Sequence, residues 1–189
     1  APRTGDPRVR ARLRARRASH LLGGRLVSTA TSLHRRSLSV ESALADQDLL
    51  IVVATGGRPV GELRAALPDN VRVAEMLPYS ELLPKTDAMV TNGGYGGVQM
   101  ALAHGVPLVV AGAREDKPEV AARVAWSGSG VNLRAERPKP DLIAEAVSNV
   151  LTKPSYGDNA RRLAEAISKT DPLHTLDQIL EQLSERPDR

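Results

Sequence analysis

The chain has no cysteine, no phenylalanine and a single tryptophan among its 189 residues. Without cysteine there are neither disulfides nor thiolate metal sites. Aromatics make up 2% of the chain, so any core must be built from Leu, Val, Ile and Ala. No rings are interleaved with basic residues for stacking on bases, so nucleic acid is not expected as a partner. No apolar run approaches the roughly 18 residues that a membrane span needs. The N-terminus is basic but lacks the apolar stretch of an ordinary signal peptide. No membrane partner is expected, and a cytoplasmic soluble protein is. The chain begins at Ala1 rather than Met, so a fragment or a processed chain is expected. Its length suffices for one domain with a real core.

Charge is spread unevenly. Residues 1–36 hold ten Arg and one Asp, a net of +9, while the whole chain is +4, which leaves residues 37–189 at −5. The Arg-rich run from Arg8 to Arg17 reads in three ways. It is a disordered leader, a tail for nucleic acid or anionic membrane, or a segment foreign to the ancestral protein through an altered reading frame or start. The expected division is a basic arm over 1–36 and a domain over 37–189. Gly24 to Ser32 has two readings: a strand that Leu26 and Val27 start, or, since no glycine follows in the Ser28-to-Thr31 turn, a linker or degraded strand. Ser37 to Ala45 is expected to be helical, with Leu38, Val40 and Leu44 on one face.

From Asp48 the chain alternates strands and helices. Leu49 to Ala54 is a continuous apolar run, as in a strand covered on both faces of a parallel sheet. Thr55-Gly56-Gly57 is the turn after it, and Pro59 to Leu67 reads as a short helix. Val71 to Ala74 is a second strand, followed by Met76-Leu77-Pro78-Tyr79. Ser80 to Leu83 is a one-turn helix ended by Pro84. Asp87 to Thr91 is the third strand. It leads into Asn92-Gly93-Gly94-Tyr95-Gly96-Gly97, with four glycines in six positions. A helix over Val98 to Ala103 follows, with Gly105 placed to end it. Val106 to Ala111 is the next strand, then the acidic turn Arg114-Glu115-Asp116-Lys117 and a helix over Val120 to Trp126. Val131 to Leu133 is the last strand. Pro140 to Leu151 is an amphipathic helix with Leu142, Ile143, Ala146, Val147 and Val150 inward. Pro154 to Lys169 is expected to turn Tyr156, Leu163 and Ile167 inward. The helix from Asp171-Pro172 to Leu183 carries a stripe of Leu173, Leu176, Ile179, Leu180 and Leu183. The fold class is α/β, a Rossmann-like parallel sheet flanked by helices.

The glycine cluster has two readings. It is a tight turn that needs positive φ angles, or a seat where backbone N–H groups at a helix start meet phosphate. His104 sits before Gly105, where a histidine suits the helix C-terminus rather than catalysis. Asp116 is placed to cap a helix that Pro118 begins.

An ordered set of features carries a resemblance. It comprises Leu77-Pro78, Leu82-Leu83-Pro84, Thr91-Asn92-Gly93-Gly94, His104-Gly105-Val106-Pro107 and Glu115-Asp116. From about Leu49 onward the chain resembles the C-terminal, donor-binding half of nucleotide-sugar-dependent glycosyltransferases of the GT-B fold, in the bacterial macrolide and UDP-glucosyltransferase-like branch. The resemblance implies transfer of a hexose from a UDP- or TDP-sugar to an acceptor hydroxyl, with no cofactor and no required metal. It implies diphosphate contacts from Asn92, Gly93, Gly94, Gly96 and Gly97. Asn92 stands where relatives usually have a histidine. Base contacts are implied for Met76, Leu77 and Tyr79, with Met76 otherwise a core residue. Sugar contacts are implied for Asp116 and for Lys117, which stands where glutamine is common. Met100 occupies the place of a ribose-binding glutamate, with Gln99 beside it. No catalytic residue is assigned, because the base and the acceptor pocket belong to an N-terminal domain that this sequence lacks. Such a chain is expected to be inactive alone. The alternative is a non-catalytic nucleotide-binding module or remnant with a nucleic-acid-binding arm.

Overall fold

A computed structural model describes residues 25–30, 40, 43–45, 47–57, 59–60 and 67–184. Six parallel strands form one sheet: β1 (Arg25–Ala30), β2 (Leu49–Ala54), β3 (Val71–Ala74), β4 (Ala88–Thr91), β5 (Leu108–Val110) and β6 (Gly130–Asn132). Their spatial order is β3-β2-β1-β4-β5-β6, and every neighbouring pair is parallel. The order reverses between β1 and β4. In open parallel sheets, ligands bind outside the carboxyl ends of the strands at this point.

Among the described residues, the α-helices beside the sheet are the single turn α1 (Tyr79–Leu82) and the longer α2 (Tyr95–Ala103), α3 (Lys117–Trp126), α4 (Pro140–Thr152) and α5 (Pro154–Ser168). A final helix, α6, spans Pro172–Ser184. Strand alternation sends successive side chains to opposite faces. Val27, Ile51, Val53, Val73, Val90 and Val109 pack with Ile143, Ala146, Val147 and Val150 of α4. On the other face, Met89, Leu108 and Val110 pack with Val98, Ala101 and Leu102 of α2 and with Val120, Ala121 and Val124 of α3. Valine-rich strands suit this double cover, since branched side chains fill a pleated surface.

β1 is the largest departure from the sequence reading. The expected boundary at 36/37 places these residues in the arm. In the structure they form a central strand, paired along all six residues with β2 and from Val27 to Ala30 with β4. Leu26 and Val27 are fully buried. Two bonds fasten the start of β1 to β4: Leu26 N–H donates to the Asp87 carboxylate at 2.5 Å, and Asp87 N–H donates to Leu26 O at 2.8 Å. The linker reading of Gly24 to Ser32 is thus overturned for Arg25–Ala30.

Smaller differences follow packing rather than local pattern. Pro84 does not end the helix after Tyr79; it sits in a 3-10 turn, Leu83–Lys85, that continues it. Leu142 faces outward, 46% exposed, because the four other apolar residues already fill the inner stripe of α4. Tyr156, Leu163 and Ile167 do turn inward. Leu176, Ile179 and Leu180 of α6 are exposed. The Arg-rich run and most of the expected helices over 37–45 and 59–67 lie outside the described residues.

Candidate functional site

Parallel strands deliver all their following loops to one edge. β4 ends in Thr91, which is buried, and its hydroxyl accepts the Gly93 N–H at 3.2 Å. Asn92 Oδ1 accepts the Gly94 N–H at 3.2 Å, which leaves the Nδ2 amide as the side chain's donor. Gly93 has φ 84, and a Cβ there would lie 2.8 Å from Val110. The turn therefore needs glycine for its own shape, and the Gly93 and Gly94 N–H groups are spent within it. The resemblance implies diphosphate contacts for both residues; in this structure their N–H groups are bonded within the turn.

Helix α2 begins earlier than its hydrophobic pattern suggests. Gly94 is the N-cap, and Gly96 and Gly97 lie in the first turn. The first intrahelical bond runs from Val98 N–H to Gly94 O at 3.1 Å, so the N–H groups of Tyr95, Gly96 and Gly97 precede the ladder. A Cβ on Gly96 would meet nothing within 4 Å. These N–H groups and the helix dipole create a positive, open platform.

The loop after β5 closes against this turn through Gly112, a residue that the sequence reading passed over. A Cβ there would lie 2.1 Å from Asn92 O and 2.8 Å from Lys117 Cβ. Ala111 N–H donates to Thr91 O at 2.9 Å and holds the two loops in line. The structure thus brings Asn92 and the glycines together with Asp116 and Lys117. Asp116 precedes α3, but its exposed carboxylate makes no capping bond. The expected cap is absent, since Asp116 has helical angles, φ −78 and ψ −11, rather than the extended ones of a side-chain cap. Lys117 pairs with Glu115, and Arg114 Nε lies 3.1 Å from Glu136.

Across the order reversal, the loops after β2 and β3 form a second feature. Thr55 N–H donates to Ala74 O at 3.0 Å and Gly57 N–H to Glu75 O at 2.7 Å. Met76 is 53% exposed, and its sulfur lies 3.9 Å from where a Gly57 Cβ would stand. It is not a core residue. Leu77 is, packed with Leu26, Val52, Ala74 and Leu82. The Tyr79 ring packs on the same cluster, and burial pushes its hydroxyl above the ordinary 10.0. Of the three base candidates, Leu77 is buried, Tyr79 is partly buried and Met76 is the most exposed. Two to three strand spacings, about 10–14 Å, separate this feature from the glycine turn.

His104 follows α2, so it lies about 14 Å along the helix from Tyr95, toward the opposite edge of the sheet. It is exposed, and its N–H donates to Ala101 O at 3.1 Å. Asp48, which closes the Asp46-Gln47-Asp48 spacing, precedes β2 and also belongs to the opposite edge; Asp46 lies outside the described residues.

A family model described as erythromycin biosynthesis protein CIII-like, C-terminal domain, matches residues 39–183. The chain belongs to this family. Within the CIII-like C-terminal domain family it is 49% identical over 156 residues to 4'-demethylrebeccamycin synthase of Lentzea aerocolonigenes, covering 82% of this chain and 36% of that protein. It is 36% identical over 149 residues to UDP-glucosyltransferase B1 of Starmerella bombicola, covering 75% and 34%. Among solved structures it is similar to the calicheamicin glycosyltransferase CalG4, with a TM-score of 0.73 at 27% identity, covering 84% of this chain and 43% of that one. The glycosyltransferase SnogD of Streptomyces nogalater matches with a TM-score of 0.66 at 28% identity, covering 85% and 43%. The chain spans about a third of the length of these curated relatives. It is a Rossmann-like α/β domain of the kind that forms the C-terminal half of GT-B glycosyltransferases. Among the described residues, no helix is long and apolar enough to cross a membrane.

Proposed function

We propose that this chain is the donor-binding half of a glycosyltransferase that moves a hexose from a UDP- or TDP-sugar to an acceptor hydroxyl with inversion. One observation carries the reading. The open amino end of α2 at Gly96 is locked, through Gly112, to the loop that holds Asp116 and Lys117. The diphosphate would lie over Gly96 and Gly97, with Asn92 Nδ2 as a further donor. Fixed dipoles there stabilise the charge that develops on a departing diphosphate. Met76 would pack its polarizable sulfur on the base. The uncapped Asp116 carboxylate would accept sugar hydroxyls. The names of UDP-glucosyltransferase B1 and of the glycosyltransferases CalG4 and SnogD support a sugar-transfer role.

A general base is also required beside the acceptor. We assign it, with the acceptor pocket, to a separate N-terminal domain, which the chain's share of its relatives' length supports. The isolated chain then binds donor without transferring sugar. A cytoplasmic setting belongs to the same proposal.

The test is calorimetric titration with UDP, TDP and their glucose conjugates against wild type and Gly96→Leu. Leucine is a better helix former than glycine by about 0.8–1 kcal/mol, so the variant should fold. Its side chain would occupy the open space. A loss of at least about tenfold in affinity is expected, with a melting temperature no lower than that of wild type. Equal binding by both proteins, or none by the folded wild type, refutes the reading.

A further inference from the structure

We propose that Lys117 is a cation of the donor site, its ammonium leaving Glu115 for an anionic oxygen of the donor as the donor enters. The inference rests on the donor-site reading above. Lys117 opens α3 directly against the glycine turn. Its carbonyl oxygen lies 3.5 Å, and its Cβ 3.6 Å, from where a Cβ on Gly93 would stand. The side chain is 19% exposed, held on the turn, and ends on the Glu115 carboxylate, which is 73% exposed. Glu115 has φ 59, the left-handed region that a side-chain-bearing residue rarely adopts. Strain of this kind persists only where the surroundings enforce it. Here it accompanies a meeting of carboxylate and ammonium only two residues apart.

The pair is well suited to exchange. Its acid is solvated, so water and salt weaken the attraction. A lysine stem of four carbons lets the ammonium swing, and lysine binds phosphate as a point charge. Asn92 and the helix amides supply dipoles but no net charge. Arg114, the other cation of this loop, is engaged by Glu136. The anionic oxygen has two sources: the diphosphate itself, or the carboxylate of an acidic sugar.

The experiment titrates the whole chain with UMP, UDP, UDP-glucose and UDP-glucuronate at low and high salt. The proteins are wild type, Lys117→Met, Lys117→Arg and Glu115→Gln, each first shown to be folded by its melting curve. Lys117→Met is expected to weaken UDP and UDP-glucose about tenfold, with most of the difference removed near 1 M salt. UMP should be unaffected, Lys117→Arg should retain binding, and Glu115→Gln should bind UDP more tightly. A loss confined to UDP-glucuronate puts the oxygen on the sugar and still supports the cationic role. Should Lys117→Met fail to fold, Lys117→Gln and Glu115→Gln carry the same comparison. Unchanged affinities for all four ligands overturn this inference and leave the donor-site reading standing. A folded wild type that binds none of them overturns both.

Discussion

Gly112→Ala tests the joint on which the whole platform depends. The substitution adds one methyl group at the point where the loop after β5 crosses the loop after β4. That methyl would stand 2.1 Å from Asn92 O and 2.8 Å from Lys117 Cβ. The first neighbour is backbone and cannot rotate away. It must retreat by about 1.3 Å or more to reach ordinary contact. Asn92 is held on both sides, since Thr91 O accepts the Ala111 N–H at 2.9 Å and Asn92 Oδ1 accepts the Gly94 N–H at 3.2 Å. Moving it disturbs the β4–β5 pairing and the start of α2 together. Overpacking typically costs about 1–3 kcal/mol, and a backbone clash belongs at the upper end. A loss of about 3 kcal/mol corresponds to roughly 6–12 °C in Tm for a domain of this size. The assay is urea and thermal unfolding followed by circular dichroism. A Gly112→Ala protein within about 0.5 kcal/mol of wild type would falsify the claim that these loops are locked by close approach.

The remaining predictions concern the sheet and its neighbours. Thr29 is buried in β1, and its hydroxyl has no hydrogen-bond partner among the described residues. Thr29→Val should therefore raise the urea midpoint, by about 1 kcal/mol in stability; a lower midpoint would show that the hydroxyl is satisfied. Asp87→Ala removes the acceptor that holds Leu26 N–H at the start of β1, and should cost about 1–2 kcal/mol in the same assay. An unchanged midpoint there would mean that water replaces the carboxylate freely. Tyr79 is raised above 10.0 by burial, so the folded state holds its proton more tightly than the unfolded chain. Its contribution is fully present below pH 10 and is lost as pH rises through the folded-state value. Tyr79→Phe should flatten the fall in stability above pH 10, and an identical slope in both proteins would count against this origin.

Several elements were readable because their signals are local. β2 is six residues of unbroken apolar sequence, and no arrangement but a doubly covered strand suits it at that length. The inner face of α4 follows from the spacing of Ile143, Ala146, Val147 and Val150. The glycine turn was readable as a turn, and the ordered motifs pointed to the family. β1 was readable only as one of two alternatives. It offers Leu26 and Val27 and then Ser28, Thr29 and Ala30, too short an apolar signal to outweigh an arginine-rich context. What makes it a strand is pairing on both edges with segments about 25 and 60 residues away in the chain. Leu77 and Tyr79 looked free for a ligand because nothing local records that they pack on Leu26 and Val52.

By itself, then, the sequence determined the α/β alternation, the family and the location of the glycine turn, since each is written in residue type and short-range spacing. Tertiary structure governs how that turn meets its neighbours. It alone decided that Gly112 is required by the carbonyl of Asn92, and that Lys117 lies on the turn with Glu115 as its present partner. The physical reason is the same in each case. These are close approaches between loops that follow different strands, and such distances are set only when the parallel sheet brings its carboxyl ends to one edge.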